Sequence, residues 1–327
     1  MEHQKLEDGS TKGPVRTSRR KWLIIGGIIM LVLAIALGVG LGVGLTEGRR
    51  HRPDYSQDPS APTSTAPVPS PNVSSAGLWQ PQVGATWNLD LAHAPSSPDT
   101  QGYSVWDIDL FDTDKSVIDG LHTAGSDVIC YFSAGSYENW RPDASKFQDS
   151  DLGKGLDGWE GENWLNINSQ NVRSIMSARM DLAVQKGCKG VDPDNVDGYN
   201  NDNGLGLTSA DSVNYLQFLA AAAQARNLSI GLKNAGDIVL DVINLMQWSV
   251  NEECLANDEC QTFQPFIQQG KPVFHVEYPK GNSNTNTFVA TNTKNEICDG
   301  ANTKGFSTII KNMNLDTWIE TCPVTTQ

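Results

Sequence analysis

"NVRSIMSARMDLAVQKGCKGVDPDNVDGYNND", residues 171–202, passes from one periodicity to another across a single turn. Up to Gly187 the pattern is helical, with a basic last turn and a glycine stop. Three residues later "GVDPDNV" (190–196) is a short β-rich run. A helix that feeds directly into a strand is half of a βαβ unit. The run also opens a cluster of four aspartates, Asp192, Asp194, Asp197 and Asp202, with no lysine or arginine among them. Like charges this close repel. Their cost must be offset by a cation, by a hydrogen-bond network, or by a use for a carboxylate.

Working outward, the same alternation recurs. β-rich runs stand at 84–91, 103–110, 127–134, 190–196, 228–234, 247–252, 272–278 and 306–312. Helical patterns fill most of the gaps: "DKSVIDGLHTAG" ends on Gly125, and "SADSVNYLQFLAAAAQARN" follows a Ser or Thr cap. Strand and helix repeated about eight times predict parallel strands joined by crossover helices. Eight strands within residues 78–327 favour a closed (β/α)8 TIM barrel over an open doubly wound sheet. The connection 92–102 is short and proline-rich, so the first unit is degenerate. No glycine-rich phosphate fingerprint follows the first strand, which argues against a dinucleotide fold.

The N-terminal part has a different character. Residues 1–21 are polar and carry six Lys and Arg, and residues 22–45 carry no charge at all. A helix needs about 20 apolar residues to cross a bilayer, whereas the apolar region of a cleaved signal peptide spans roughly 7–15. With the larger positive count before the segment, 22–45 predicts a type II anchor. Residues 1–21 would be a cytosolic tail, and the bulk of the chain would lie outside the cell. Residues 46–77 are rich in Pro, Ser and Thr and predict a disordered stalk. Sequons at Asn72 and Asn227 are candidate glycosylation sites.

Six cysteines follow residue 129, and an oxidising compartment permits them to pair. Cys254 and Cys260 are close enough to close a small loop, and Cys298 and Cys322 are placed to tie down the C-terminal end. Cys130, in an apolar strand pattern, reads as a small core residue, and Cys188 is left open. No C-x2-C or H-x3-H spacing suggests zinc. An EF-hand loop starting at Asp192 would need an oxygen ligand at 196 and glycine at 197. The chain has Val196 and Asp197, so no metal is expected. The barrel region holds 32 Asp and Glu against 15 Lys and Arg, a surplus of 17 negative charges. Such a surplus disfavours nucleic acid and suits a cationic partner.

In parallel barrels the reactive groups sit at the C-terminal ends of the strands. Here Asp107 and Asp109 end the second strand, and the aspartate cluster ends the fourth. Lys233 and Asn234 end the fifth, Glu252 and Glu253 the sixth, and Glu277 the seventh. A soluble barrel has no structural need for acids at four strand ends together. Two carboxylates on facing strands are what glycosidic cleavage requires, one to protonate the leaving oxygen and one to attack or to activate water. Trp87, Trp106, Trp140, Trp159, Trp164, Tyr199 and Trp248 fall at or beyond strand ends. Any one of them can be core packing, but interleaved with acids they suit saccharide platforms.

"VWDIDLFDT" (105–113), "VICYFSAGSYENWRPDAS" (128–145), "GVDPDNVDGY" (190–199), "GLKNA" (231–235), "NEEC" and "VFHVEYP" (273–279) together resemble glycoside hydrolase family 114 over about 84–320. These are the endo-α-1,4-polygalactosaminidases. The resemblance implies a (β/α)8 barrel cleaving α-1,4-linked galactosamine without a cofactor. It makes Asp194 and Glu252 the catalytic pair. Asp109, Tyr131, Asp192, Asp197, Lys233 and Glu277 match positions expected to line the sugar site, with Trp87, Trp159 and Tyr199 as aromatic contacts. The expected partner is a cationic galactosamine polysaccharide, met by a membrane-tethered monomer. A barrel of another class, binding polysaccharide without cleaving it, would keep the aromatics and lose one catalytic acid; both acids are present.

Overall fold

The computed structural model describes residues 77–93, 95, 102–300 and 302–323. The expected anchor at 22–45, nearly all of the stalk, and Asn72 lie outside these residues. Among the described residues no helix is long and apolar enough to cross a membrane.

The strands in chain order are β1 (Trp87–Asp90), β2 (Val105–Asp109), β3 (Asp127–Ser133), β4 (Ser136–Glu138), β5 (Leu152–Gly155), β6 (Glu162–Leu165), β7 (Gly190–Asp194), β8 (Ser229–Lys233), β9 (Trp248–Glu252), β10 (Val273–Glu277), β11 (Ser307–Lys311) and β12 (Ile319–Thr321). β1, β2, β3, β7, β8, β9, β10 and β11 pair in parallel, in that order. They coincide with the eight β-rich runs of the sequence. β1 meets β11 through side chains: Trp87 Nε1 donates to the Ser307 carbonyl at 2.7 Å, and Lys311 Nζ to Asn88 Oδ1 at 3.2 Å. β12 pairs antiparallel beside β11.

The helices are α1 (Lys115–Thr123), α2 (Gln170–Lys186), α3 (Ser209–Gln224), α4 (Val239–Val242), α5 (Gln264–Gln268) and α6 (Thr291–Cys298). α2 begins where the Ser169 hydroxyl accepts from the amides of Asn171 and Val172, and it ends at Gly187 with φ 94°. Only a residue without a Cβ enters that conformation cheaply. α3 begins with a reciprocal capping box between Thr208 and Asp211.

Burial separates two apolar layers. One packs the helices against the outer faces of the strands. The other fills the barrel with Trp87, Leu89, Trp248, Val250, Phe274 and their neighbours, and no helix residue joins it. Trp248 is accommodated because Gly190 and Gly231 face it; a Cβ on Gly231 would stand 2.1 Å from its Nε1. Inward residues alternate along each strand, so the interior changes from apolar to charged toward the C-terminal ends. On β7 the inward series is Gly190, Asp192, Asp194. On β9 it is Trp248, Val250, Glu252.

The sequence suggested no element between β3 and α2, yet a three-stranded antiparallel sheet, β4-β6-β5, rises there. A buried ion network ties it to the barrel. Arg141 Nη2 contacts Asp109 Oδ2 at 2.6 Å and Glu138 Oε1 at 2.8 Å. Arg179 of α2 forks onto Asp143 through two bonds of 2.9 Å and donates to the Ser133 carbonyl at 2.7 Å. Both guanidinium groups lie over the Phe111 ring.

Cys254–Cys260 and Cys298–Cys322 are disulfides, as expected. The reading of Cys130 as an unpaired core residue is corrected: Cys130 and Cys188 form a third disulfide. β3 and β7 lie far apart in sequence but are neighbours in the sheet, with Cys130 opposite Val191. Cys188, two residues before β7, is thereby brought beside it.

Candidate active site

A cleft of about 670 Å³ opens at the C-terminal ends of the parallel strands. Barrel residues Asp109, Tyr131, Asp194, Asp197, Lys233 and Glu252 form its floor. The β4–β6 sheet contributes Glu138, Trp140, Lys154, Trp159, Glu162 and Trp164 as one wall. Trp140 and Trp159 are 53% and 58% exposed, unusual for indole, and stand free to stack on a flat ligand. A second concavity of about 420 Å³ shares Glu252, Asp197, Asn234 and Trp159 with the first.

At the floor, Lys233 bridges the two candidate catalytic acids. Its Nζ is 3.1 Å from Asp194 Oδ2 and 3.2 Å from Glu252 Oε2. Tyr131 donates to Asp194 Oδ2 at 3.0 Å, and the Asn195 amide to Asp194 Oδ1 at 2.7 Å. Glu252 Oε1 accepts from Tyr278 at 2.5 Å, and Oε2 from Asn234 Nδ2 at 3.2 Å. The backbone just past these strands is strained. Asn195, Asn234, Ala235 and Glu253 all have φ between 49° and 60°. Left-handed non-glycine residues cost of order 1–3 kcal/mol each and persist where the surroundings over-determine them. They aim Asp194, Lys233 and Glu252 at one point.

Crowded carboxyls shift one another. Burial would push the Glu252 carboxyl up, but the Lys233 ammonium and the donors Tyr278 and Asn234 hold it below its ordinary value. Burial keeps Lys233 from being charged cheaply, yet Asp194, Glu252 and Asp192 together raise it well above the usual lysine range. Beneath the pair, Asp107 and Asp192 are fully buried, and each carboxyl lies in the field of the other. No protein donor among the described residues reaches any of their four oxygens. Burial and the neighbouring Asp192 hold the Asp107 carboxyl well above the usual carboxylate range. Burial, reinforced by Asp194 and Glu252 and opposed by Lys233, brings Asp192 to about 7. Burial and Asp194 bring Asp197 to about 6, and burial, with Glu138 and Asp194 adding to it, brings Glu162 to about 7.

These three groups hold protons in the folded state at a pH where the unfolded chain has released them. Folding therefore binds protons, and stability falls as pH rises through the folded values. Unfolding temperature is expected to be highest near pH 5 and to drop by several degrees by pH 8. Differential scanning calorimetry measures it, and a flat or rising profile would contradict the burial of these acids. Glu252, shifted the other way, loses its contribution only as pH falls through its depressed value.

Not every residue singled out from sequence reaches the cleft. Asp109 does, but Arg141 forks onto it, and it accepts the amides of Phe111 and Asp112, so it holds the wall in place. Asp192 lies one inward layer below the cleft floor. Three expectations are corrected. Trp87 is inside the barrel core, 1% exposed, because the inward face of β1 carries it. Glu277 points to the outer face of β10, where it accepts from His275 and from the Leu255 amide. Tyr199 packs against the outer core rather than the cleft. Glu138 and Glu162 escaped notice because they sit on the unforeseen wall. The usable signal was the length of the gap between β3 and α2, too long for a simple βα loop.

The glycoside hydrolase family GH114 sequence profile matches residues 68–327. The chain belongs to family GH114. It is a glycoside hydrolase on a (β/α) barrel. Ega3 of Aspergillus fumigatus, whose crystal structure is a complex with galactosamine, is 60% identical to it. That match covers 77% of this chain and 100% of Ega3, with a TM-score of 0.75. The glycoside hydrolase domain of PelA from Pseudomonas aeruginosa shares the fold at 11% identity and a TM-score of 0.55, over 72% of this chain and 98% of that domain. No curated protein sequence gives a match.

Proposed function

We propose that this GH114 hydrolase cuts within chains of α-1,4-linked galactosamine, in cationic galactosaminan or galactosaminogalactan, using Asp194 and Glu252. The observation that carries the reading is the Lys233-bridged pair on the floor of an acidic cleft. Nine Asp and Glu against three Lys and Arg line the main cleft, and five acids with no Lys or Arg line the adjoining concavity. The two meet at Glu252, which suits a polymer running past the scissile bond. Likeness to a protein crystallised with galactosamine supports the same sugar. The 22–45 segment would tether the enzyme with its barrel outside the cell, and exposed Asn227 would be open to glycosylation.

The full chain, solubilised in detergent, is expected to release reducing ends from deacetylated galactosaminan and to slow several-fold as salt rises. Charge attraction is screened over about 8 Å at physiological ionic strength and over about 3 Å at 1 M. Equal rates on acetylated and deacetylated polymer, at low and high salt alike, would remove the charge argument. Failure to release any reducing ends would leave a binding barrel.

The pair also supports retention of configuration. Asp194 Oδ2 and Glu252 Oε2 both touch one nitrogen, at 3.1 and 3.2 Å. These two oxygens can be no farther apart than those lengths end to end, which leaves room for the ~5–5.5 Å of a retaining pair and lies at the lower edge of the ~6.5–9.5 Å of an inverting one. Asp194 is then the nucleophile and Glu252 the acid and base. Proton NMR of the first product should show the α-anomer; a β-anomer appearing first would make Asp194 a base acting on water.

A further inference from the structure

Glu162 belongs to the wall, not to the catalytic pair. It stands at the start of β6, only 8% exposed, and lines the cleft. Its Oε2 accepts from the Ser136 hydroxyl at 2.6 Å. Its other oxygen has no hydrogen-bond donor among the described residues. A short chain of contacts leads from it to the nucleophile. The Ser136 hydroxyl also accepts from Asn195 Nδ2 at 3.1 Å, and the Asn195 amide donates to Asp194 Oδ1 at 2.7 Å. Gly135 permits this closeness, since a Cβ there would fall 1.7 Å from the Asn195 carbonyl oxygen.

The cations of the cleft are already committed elsewhere. Arg141 serves Asp109, Asp112 and Glu138; Lys154 serves Asp202; Lys233 serves Asp194 and Glu252. Among the cleft acids less than a tenth exposed, Asp109 and Glu138 have Arg141, and Glu162 has no ion-pair partner among the described residues. A buried carboxylate without a counter-ion is costly, and a ligand that brings the missing positive charge relieves the cost. The groups facing Glu162 are Glu138, Asp194, the Ser136 hydroxyl and, more distantly, Arg141.

We infer that Glu162 is a specificity residue, which receives the protonated amine of the sugar unit seated over Asp194. The inference rests on the proposed galactosaminan reading and deepens it. An N-acetyl group at that place carries no charge, and its bulk would press on a wall braced by Ser136 and Asn195. Cleavage should therefore occur only after a galactosamine, because the unit over the nucleophile becomes the new reducing end.

The test uses the full chain in detergent, with partly N-acetylated galactosaminan as the probe. Products are reduced with borodeuteride and sequenced by mass spectrometry. Wild type should place galactosamine at essentially every new reducing end. Glu162→Gln keeps an acceptor for Ser136 but loses the charge. Its kcat/KM on deacetylated polymer should fall about 10- to 100-fold, mainly through KM, and N-acetylgalactosamine should appear at its new reducing ends. Glu162→Asp, which keeps the charge, should retain galactosamine at those ends with a raised KM, and it guards against misfolding of the first variant. Strict galactosamine ends with unchanged kcat/KM in Glu162→Gln would overturn the inference. So would equal loss of selectivity in both variants, which would assign the effect to packing. Absence of reducing ends from wild type would instead sink the galactosaminan reading, and this inference with it.

Discussion

Asp194→Asn and Glu252→Gln are each expected to lower turnover by on the order of 10³-fold or more, with little change in unfolding temperature. A positioned general acid contributes typically ~10²–10⁴-fold, and losing a nucleophile removes the covalent route altogether. Asparagine keeps an acceptor for the Asn195 amide and can turn its NH2 toward the Tyr131 hydroxyl, and glutamine keeps an acceptor for Tyr278, so most of the surrounding hydrogen bonds can be kept. Lys233 retains one carboxylate partner in either variant. Residues that act as a unit are not additive, so the double variant should be scarcely slower than the worse single one. Reducing-end release under saturating substrate measures the effect. Near-wild-type turnover in either variant would take the assignment away from that residue.

Lys233→Met should cost more in stability than any other single change at this site. The side chain is 1% exposed and is the ammonium that bridges Asp194 and Glu252. Methionine fills similar volume but leaves those acids, with Asp192 below, facing one another without a counter-ion. Breaking a buried pair by removing one partner costs about 3–5 kcal/mol, which is a fall of roughly 10 °C in unfolding temperature for a domain of this size. The sign of the pH dependence follows from Glu252. Its depressed carboxyl contributes stability above its unfolded value, and that contribution is lost as pH falls through its folded value. Without Lys233 the contribution is absent. The gap between wild type and variant should therefore be widest near neutral pH and narrow toward pH 4, as the freed acids protonate. Thermal melts at pH 7 and pH 4 measure this. A gap that stays constant would mean that Lys233 serves packing rather than charge.

The eight barrel strands were legible because each is a short apolar run set off by turn residues, and α2 and α3 because their caps are local chemistry. Asp194, Lys233 and Glu252 were legible for a related reason. They are polar residues at the ends of β-rich runs, which is visible in one dimension, and the family resemblance singled them out from the other strand-end residues. Trp87 and Glu277 show the limit of that reading. A strand-end position says that a residue is near the cleft's height, but whether it points inward depends on strand phase. Trp87 shares its inward face with Leu89, deep in the barrel. Glu277 stands on the face opposite Val276 and turns toward His275.

By itself the sequence determined the barrel class, the gathering of acids at strand ends and the acidic character of the whole, since periodicity, caps and net charge are properties of neighbouring residues and of composition; the choice of Asp194 and Glu252 as a pair came from the family resemblance. Only the tertiary structure decided what depends on residues far apart in the chain. It brought Cys188 to Cys130, raised the β4–β6 wall on a buried Arg–carboxylate network, and set one lysine between two carboxylates from different strands. It also left Glu162 lining the cleft without an ion-pair partner among the described residues. The physical reason is that pairing of charges depends on distance in space. Closure of the barrel brings residues 194, 233 and 252 together, and the β4–β6 wall places 138 and 162 on the same cleft.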